Sequence, residues 1–150
     1  ITTVFPDVRL KGYLEMRGAD GGPWSIICAL PALWVGLLYD SEALQKAEAI
    51  ANQFSHQDVV NARISAAKDG LKGQIGSQNI HHIAKQLIEI AEIGLKNRAR
   101  MDKDGEDERT FLTPLKTIID SGLTQADIVR ELYHTEWNED INKVYTYYRY

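Results

Sequence analysis

Apolar and polar residues alternate almost strictly along Val8-Arg9-Leu10-Lys11-Gly12-Tyr13-Leu14-Glu15-Met16-Arg17. Val8, Leu10, Leu14 and Met16 fall on one face; Arg9, Lys11, Tyr13, Glu15 and Arg17 fall on the other. A period of two over this length predicts a half-buried strand across residues 6–17. Gly18, Gly21, Gly22 and Pro23 then predict a glycine-rich turn over 18–23. From 24 to 150 the pattern is helical. Residues 24–39 form an apolar helix, expected to bend at Pro31. Asp40 or Ser41 is placed to cap a helix running through Phe54. Ser55 with Asp58 is a variant of the Ser/Thr-x-x-Glu box and opens a helix over 56–69. Gly70, Gly73 and Gly76 mark a loose connection. Ile80, Ile83, Ala84, Leu87, Ile90, Ala91 and Leu95 recur at helical spacing. They predict a long helix, capped by Ser77 or Asn79 and reaching about Lys103. A charged loop at 104–108 precedes a short helix over 111–120, which Gly122 ends. Thr124 with Asp127 opens a helix ending near His134, and a last helix covers 138–148.

The chain of 150 residues suits one domain. Its 44% hydrophobic and 25% charged residues argue against a disordered or low-complexity chain. A net charge of −4 leaves no basic excess for neutralising nucleic-acid phosphates, so no nucleic-acid partner is expected. The longest apolar stretch, residues 26–39, is shorter than the ~20 residues a spanning helix needs, so no membrane partner is expected either. The single cysteine, Cys28, rules out an internal disulfide and fits a reducing compartment, here expected to be the cytoplasm. A lone strand leaves its backbone groups without a ladder, and residues 1–5 offer at most a second. Together with a first residue that is Ile1, this predicts a mainly α chain with one or two N-terminal β-strands. Such a chain is the C-terminal fragment of a larger α+β domain, or one whose strand pairs between copies.

The polar face of the strand carries the candidate chemistry. Arg9, Lys11, Glu15 and Arg17 project in one direction, with about 6.8 Å between alternate residues. The cations suit phosphate oxygens, which an arginine grips with a two-pronged fork. The carboxylate suits Mg²⁺, a hard ion that takes oxygen ligands. The solvated face of an antiparallel sheet shows the same alternation. Asp20, in the glycine-rich turn, is placed to orient an amino group or an arginine. Other signals are weaker. His81 and His82 are adjacent on a helix and point about 100° apart, which suits surface or capping roles. Cys28 sits on an apolar helix as a buried, inert thiol. Asp102, Asp104, Glu106 and Glu108 lack the glycine and final glutamate of a calcium loop. The aromatic tail, Trp137 with Tyr145, Tyr147, Tyr148 and Tyr150, is expected to pack the last helix on the body.

The run from Phe5 through Arg17 to Trp24 resembles the C-terminal region of glutamate–cysteine ligases of the plant and alphaproteobacterial type. The likeness continues through Ala29-Leu30-Pro31-Ala32-Leu33-Trp34-Val35-Gly36-Leu37-Leu38-Tyr39 and returns at Glu131-Leu132-Tyr133-His134-Thr135-Glu136-Trp137. The resemblance implies a glutamine-synthetase-like catalytic domain, an antiparallel sheet with helices around it, of which residues 1–150 form the C-terminal part. It implies L-glutamate, L-cysteine and ATP as substrates, Mg²⁺ as cofactor, and a γ-glutamyl phosphate on the way to glutathione. Glu15-Met16-Arg17 is similar to a Glu-x-Arg pair in glutamine synthetases. That likeness implies metal binding for Glu15 and a catalytic contact with substrate or phosphate for Arg17. Arg9, Lys11 and Asp20 are placed, by the same resemblance, near substrate or nucleotide. The rest of the domain is then a partner, and the isolated chain is expected to be inactive. The alternative is a free-standing helical interaction module that self-associates through its unpaired strand edge.

Overall fold

The alternating segment does not continue as one strand. In the computed structural model, which describes residues 7–19 and 21–149, it folds back on itself. Strand β1 (Val8–Leu10) pairs antiparallel with β2 (Leu14–Met16), setting Val8 opposite Met16, Arg9 opposite Glu15 and Leu10 opposite Leu14. Gly12 permits the reversal: its φ of 84° lies in the left-handed region, which costs glycine no Cβ clash. The predicted single strand over 6–17 is thereby corrected, and so is the strand without a ladder partner. The partner is its own second half. The suggested strand at 1–5 lies outside the described residues.

Burial on the hairpin does not follow the predicted faces. Val8, Leu10 and Leu14 are 49%, 77% and 58% exposed and only Met16 of that face is half-buried, whereas Arg9, Glu15 and Arg17 are half-buried and Lys11 and Tyr13 exposed. A two-stranded sheet has no interior, and no second layer covers its apolar side among the described residues.

The helices follow as α1 (Trp24–Leu38), α2 (Ser41–Ala51) and α3 (His56–Asp69), then α4 (Ile80–Arg98), α5 (Thr113–Ser121), α6 (Gln125–Thr135) and α7 (Lys143–Tyr147). Side-chain caps set several of their starts. Asp40 accepts the Ala43 N–H at 2.9 Å, and α2 stops at Ala51, short of Phe54. Ser55 with Asp58 and Thr124 with Asp127 form complete reciprocal capping boxes. Asn79, not Ser77, accepts the His81 N–H. The glycine-rich connection contains a small hairpin, β3 (Gln74–Ile75) with β4 (Gln78–Asn79), turning at Gly76. Helix α4 ends at Arg98 rather than Lys103, because Ala99 takes a left-handed φ of 49°. The last helix shrinks to Lys143–Tyr147, since Asn138 and Glu139 both have positive φ.

The core lies where α1 crosses α4, with α2 packed alongside. Ala32, Leu37, Ala43, Ile90, Ala91, Leu95 and Leu112 form it. The crossing is close because it is built from small residues. A Cβ on Gly94 would collide with the Gly36 carbonyl, and one on Gly36 would lie 2.5 Å from the Ala91 carbonyl oxygen. Trp137 is buried and meets the Tyr147 ring edge-on at 5.6 Å, so part of the aromatic tail does pack inward. No single described helix is long and apolar enough to cross a membrane.

Candidate functional site

The register of the hairpin creates the site. Directly opposed residues of an antiparallel pair share a face, so Arg9 and Glu15 meet across the two strands. Arg9 Nε donates to Glu15 Oε2 at 2.5 Å. This hydrogen bond is the main reason the Glu15 carboxyl sits below its ordinary value. The charges of Arg9, Arg17 and Lys11 add to the effect, against a desolvation penalty that opposes it. The same bond raises Arg9. The two side chains remain 40% and 32% exposed, so a ligand from solvent can reach both.

Lys11 lies beside Gly12 at the exposed tip, and Arg17 follows the end of β2. The Arg17 N–H donates to the Asp7 carbonyl at 2.7 Å, extending the ladder beyond β2. The structure therefore brings Arg9, Lys11, Glu15 and Arg17 onto one small hairpin, closer together than a single extended strand would. Asp20 lies outside the described residues, and its expected role stays unplaced.

Alternation alone does not reveal one contact at the site. The Asp7 carboxylate pairs with Arg63 of α3 at 3.2 Å and ties the foot of the hairpin to the helical body. Asp7 is in phase with Arg9 and Glu15, a signal that was available. Arg63 is brought there only by the tertiary fold.

The donor set decides which metal complex suits this face. Glu15 and Asp7 are the carboxylates of this face, Asp7 already paired with Arg63, and no group of three or more His, Cys, Asp or Glu among the described residues could hold a metal ion. Mg²⁺ is commonly held by one or two carboxylates plus substrate phosphates, not by a protein cage. The residues therefore fit magnesium carried on a polyphosphate, with Glu15 as one ligand and the cations on phosphate oxygens.

The remaining candidates have structural partners. His81 Nε2 lies 2.6 Å from the Ile119 carbonyl, near the end of α5. Cys28 is half-buried beside Pro31, Val35 and Phe111. Asp102 accepts the backbone N–H groups of Asp104 and Glu106 at 2.8 and 3.0 Å, folding the acidic loop on itself.

The family described as Glutamate-cysteine ligase family 2 (GCS2) matches residues 1–147. The chain is 39% identical over 145 residues to the chloroplastic glutamate–cysteine ligase A of Oryza sativa subsp. indica, covering 97% of this chain and 28% of that protein. The chloroplastic glutamate–cysteine ligases of Medicago truncatula and Arabidopsis thaliana are each 39% identical over 97% of this chain and 27% of their own length. The chain thus spans little more than a quarter of the curated relatives it matches. Their names correct the expected cytoplasmic location, because they point to the plastid. A single thiol could not separate the two compartments, since it excludes an internal disulfide in either. No solved structure matches the chain.

Proposed function

The chain belongs to glutamate-cysteine ligase family 2, and we propose that it supplies the phosphate-handling hairpin of an ATP-dependent ligase joining L-glutamate to L-cysteine, the first step of glutathione synthesis. The observation that carries this reading is the Arg9–Glu15 pair, set face to face with Lys11 and Arg17 beside it.

The chemistry needs such a face. An oxygen of the glutamate γ-carboxylate attacks the γ-phosphorus of ATP; the β,γ-bridging P–O bond breaks and ADP leaves. The cysteine amine then attacks the acyl carbon of the γ-glutamyl phosphate, loses a proton and expels phosphate. Phosphoryl transfer is governed by positioning and charge stabilisation. Arg17 is the catalytic residue of this set, contacting the transferring phosphoryl group. Arg9 and Lys11 hold nucleotide phosphate oxygens, and Asp20 contacts substrate. Glu15 is the protein ligand to magnesium, which when bound neutralises phosphate charge.

The rest of a glutamine-synthetase-like catalytic domain completes the site, so the 150-residue chain alone is inactive. Its 28% span of the rice enzyme supports that reading. So do the exposed Val8, Leu10 and Leu14, an apolar face of the kind further sheet would cover. The names of the relatives support a plastid setting.

A chimera tests the proposal: this chain replaces the matching segment of the Arabidopsis thaliana enzyme. The chimera should form γ-glutamylcysteine and release ADP, and the isolated chain should do neither. A folded but inactive chimera, or turnover by the chain alone, would overturn the reading. A stable dimer of the chain beside an inactive chimera would favour a self-associating module instead.

A further inference from the structure

We propose that Arg9 is a positioning residue that occupies Glu15 while the site is empty, so that a divalent metal enters as its nucleotide complex and not ahead of the nucleotide. The inference rests on Glu15 being the metal ligand of the ligase.

Three features of the hairpin carry it. Arg9 sits directly opposite Glu15 in the ladder and donates to its carboxylate at 2.5 Å, so one carboxylate oxygen is already taken. Arg9, Lys11 and Arg17 all act on that carboxylate, and Arg9 and Lys11 alone outnumber it, the nearby Asp7 carboxylate being matched by Arg63. A bare divalent cation must compete with Arg9 for the carboxylate and enter a field that repels it. A metal–nucleoside triphosphate complex carries net negative charge and meets an attractive field. Its phosphate oxygens also offer Arg9 a replacement acceptor, so the guanidinium swings from carboxylate to phosphate without losing a charged partner. Glu15 is released to the metal as the phosphate arrives. Metal and nucleotide then raise each other's affinity, as linkage requires. Because the Arg9–Glu15 pair is partly exposed, the coupling falls at the low end of the usual range, about fivefold.

Mn²⁺ binding to the ligase carrying this segment tests the inference, read by electron paramagnetic resonance with and without a non-hydrolysable ATP analogue. In the wild type, the analogue should tighten Mn²⁺ binding about fivefold or more. Arg9→Met should tighten binding in the absence of nucleotide and shrink the coupling; Arg9→Lys, which keeps a charged donor, should restore part of it. Equal wild-type Mn²⁺ affinity with and without the analogue would overturn the inference. So would unchanged coupling in both Arg9 variants. Glu15→Gln separates the positioning role of Arg9 from the metal-ligand role of Glu15. If Glu15→Gln abolishes Mn²⁺ binding while the Arg9 variants leave coupling intact, the positioning role alone fails. If Glu15→Gln binds Mn²⁺ like the wild type, the metal-ligand reading fails and takes this inference with it.

Discussion

Gly94→Ala tests how closely α1 and α4 approach. Alone, the change favours the helix: alanine is better than glycine in a helix interior by about 0.8–1 kcal/mol. The structure adds a larger opposing cost. The new methyl group would collide with the Gly36 carbonyl of α1 and lie 3.0 Å from the Ala43 Cβ of α2. The first of these neighbours is backbone, which cannot rotate away, so α1 must move off α4. Separating the helices strips contacts from Ala32, Ala91 and Leu95 in the core beneath. Overpacking of this kind costs about 1–3 kcal/mol, and more when backbone must shift. The net effect should be a loss of about 2 kcal/mol, which for a chain of this size lowers Tm by about 4–8 °C. Urea and thermal unfolding followed by far-ultraviolet circular dichroism measure it. Gly21→Ala is the matched control, because a Cβ there meets nothing within 4 Å; it should change stability by no more than about 0.5 kcal/mol. Gly94→Ala unfolding at or above the wild-type midpoint would refute the close crossing.

Three further expectations follow from local features. Ser55→Ala removes the side-chain acceptor that caps α3 and should cost about 1 kcal/mol in the same unfolding assay. Asp58 is held below its ordinary 3.8 mainly by the Ser55 hydroxyl, and Asp127 likewise by Thr124. Their stabilisation is therefore complete above 3.8 and is lost as pH falls through the lower folded values; an acid titration of helicity should show loss only below that point. Gly12→Val places a β-branched residue at a φ of 84° and should open the hairpin, separating Arg9 from Glu15. In the ligase it should weaken binding of an ATP analogue while leaving helical content unchanged, which calorimetry and circular dichroism read separately.

Legibility in the sequence followed the range of the interactions involved. The starts of α3 and α6 were readable because Ser55–Asp58 and Thr124–Asp127 satisfy helix N–H groups within four residues. The C-terminal end of α4 and the start of α7 were not, because Ala99, Asn138 and Glu139 adopt left-handed backbone without the glycine that would announce it. The hairpin was hidden for a different reason. Its three-residue turn, Lys11 to Tyr13, leaves the period-two alternation in phase, so a folded pair reads like one strand. For the same reason the shared face of Arg9 and Glu15 was legible while their direct opposition was not. Side-chain alternation told which residues share a face, but not which face is covered; Leu10 is 77% exposed. The Asp7–Arg63 pair and the Gly36–Gly94 crossing depend on elements distant in sequence, where local pattern carries no information.

In the proposed function Glu15, on the polar face of the hairpin, takes part in ATP-driven ligation. The most direct measurement is the rate of magnesium-, glutamate- and cysteine-dependent ADP release by the ligase carrying Glu15→Gln, with unfolding of the same sample as control. Glutamine keeps the shape and removes the charge. The expected result is a fall of about a hundredfold or more with an unchanged unfolding midpoint. Wild-type turnover in that variant would contradict it.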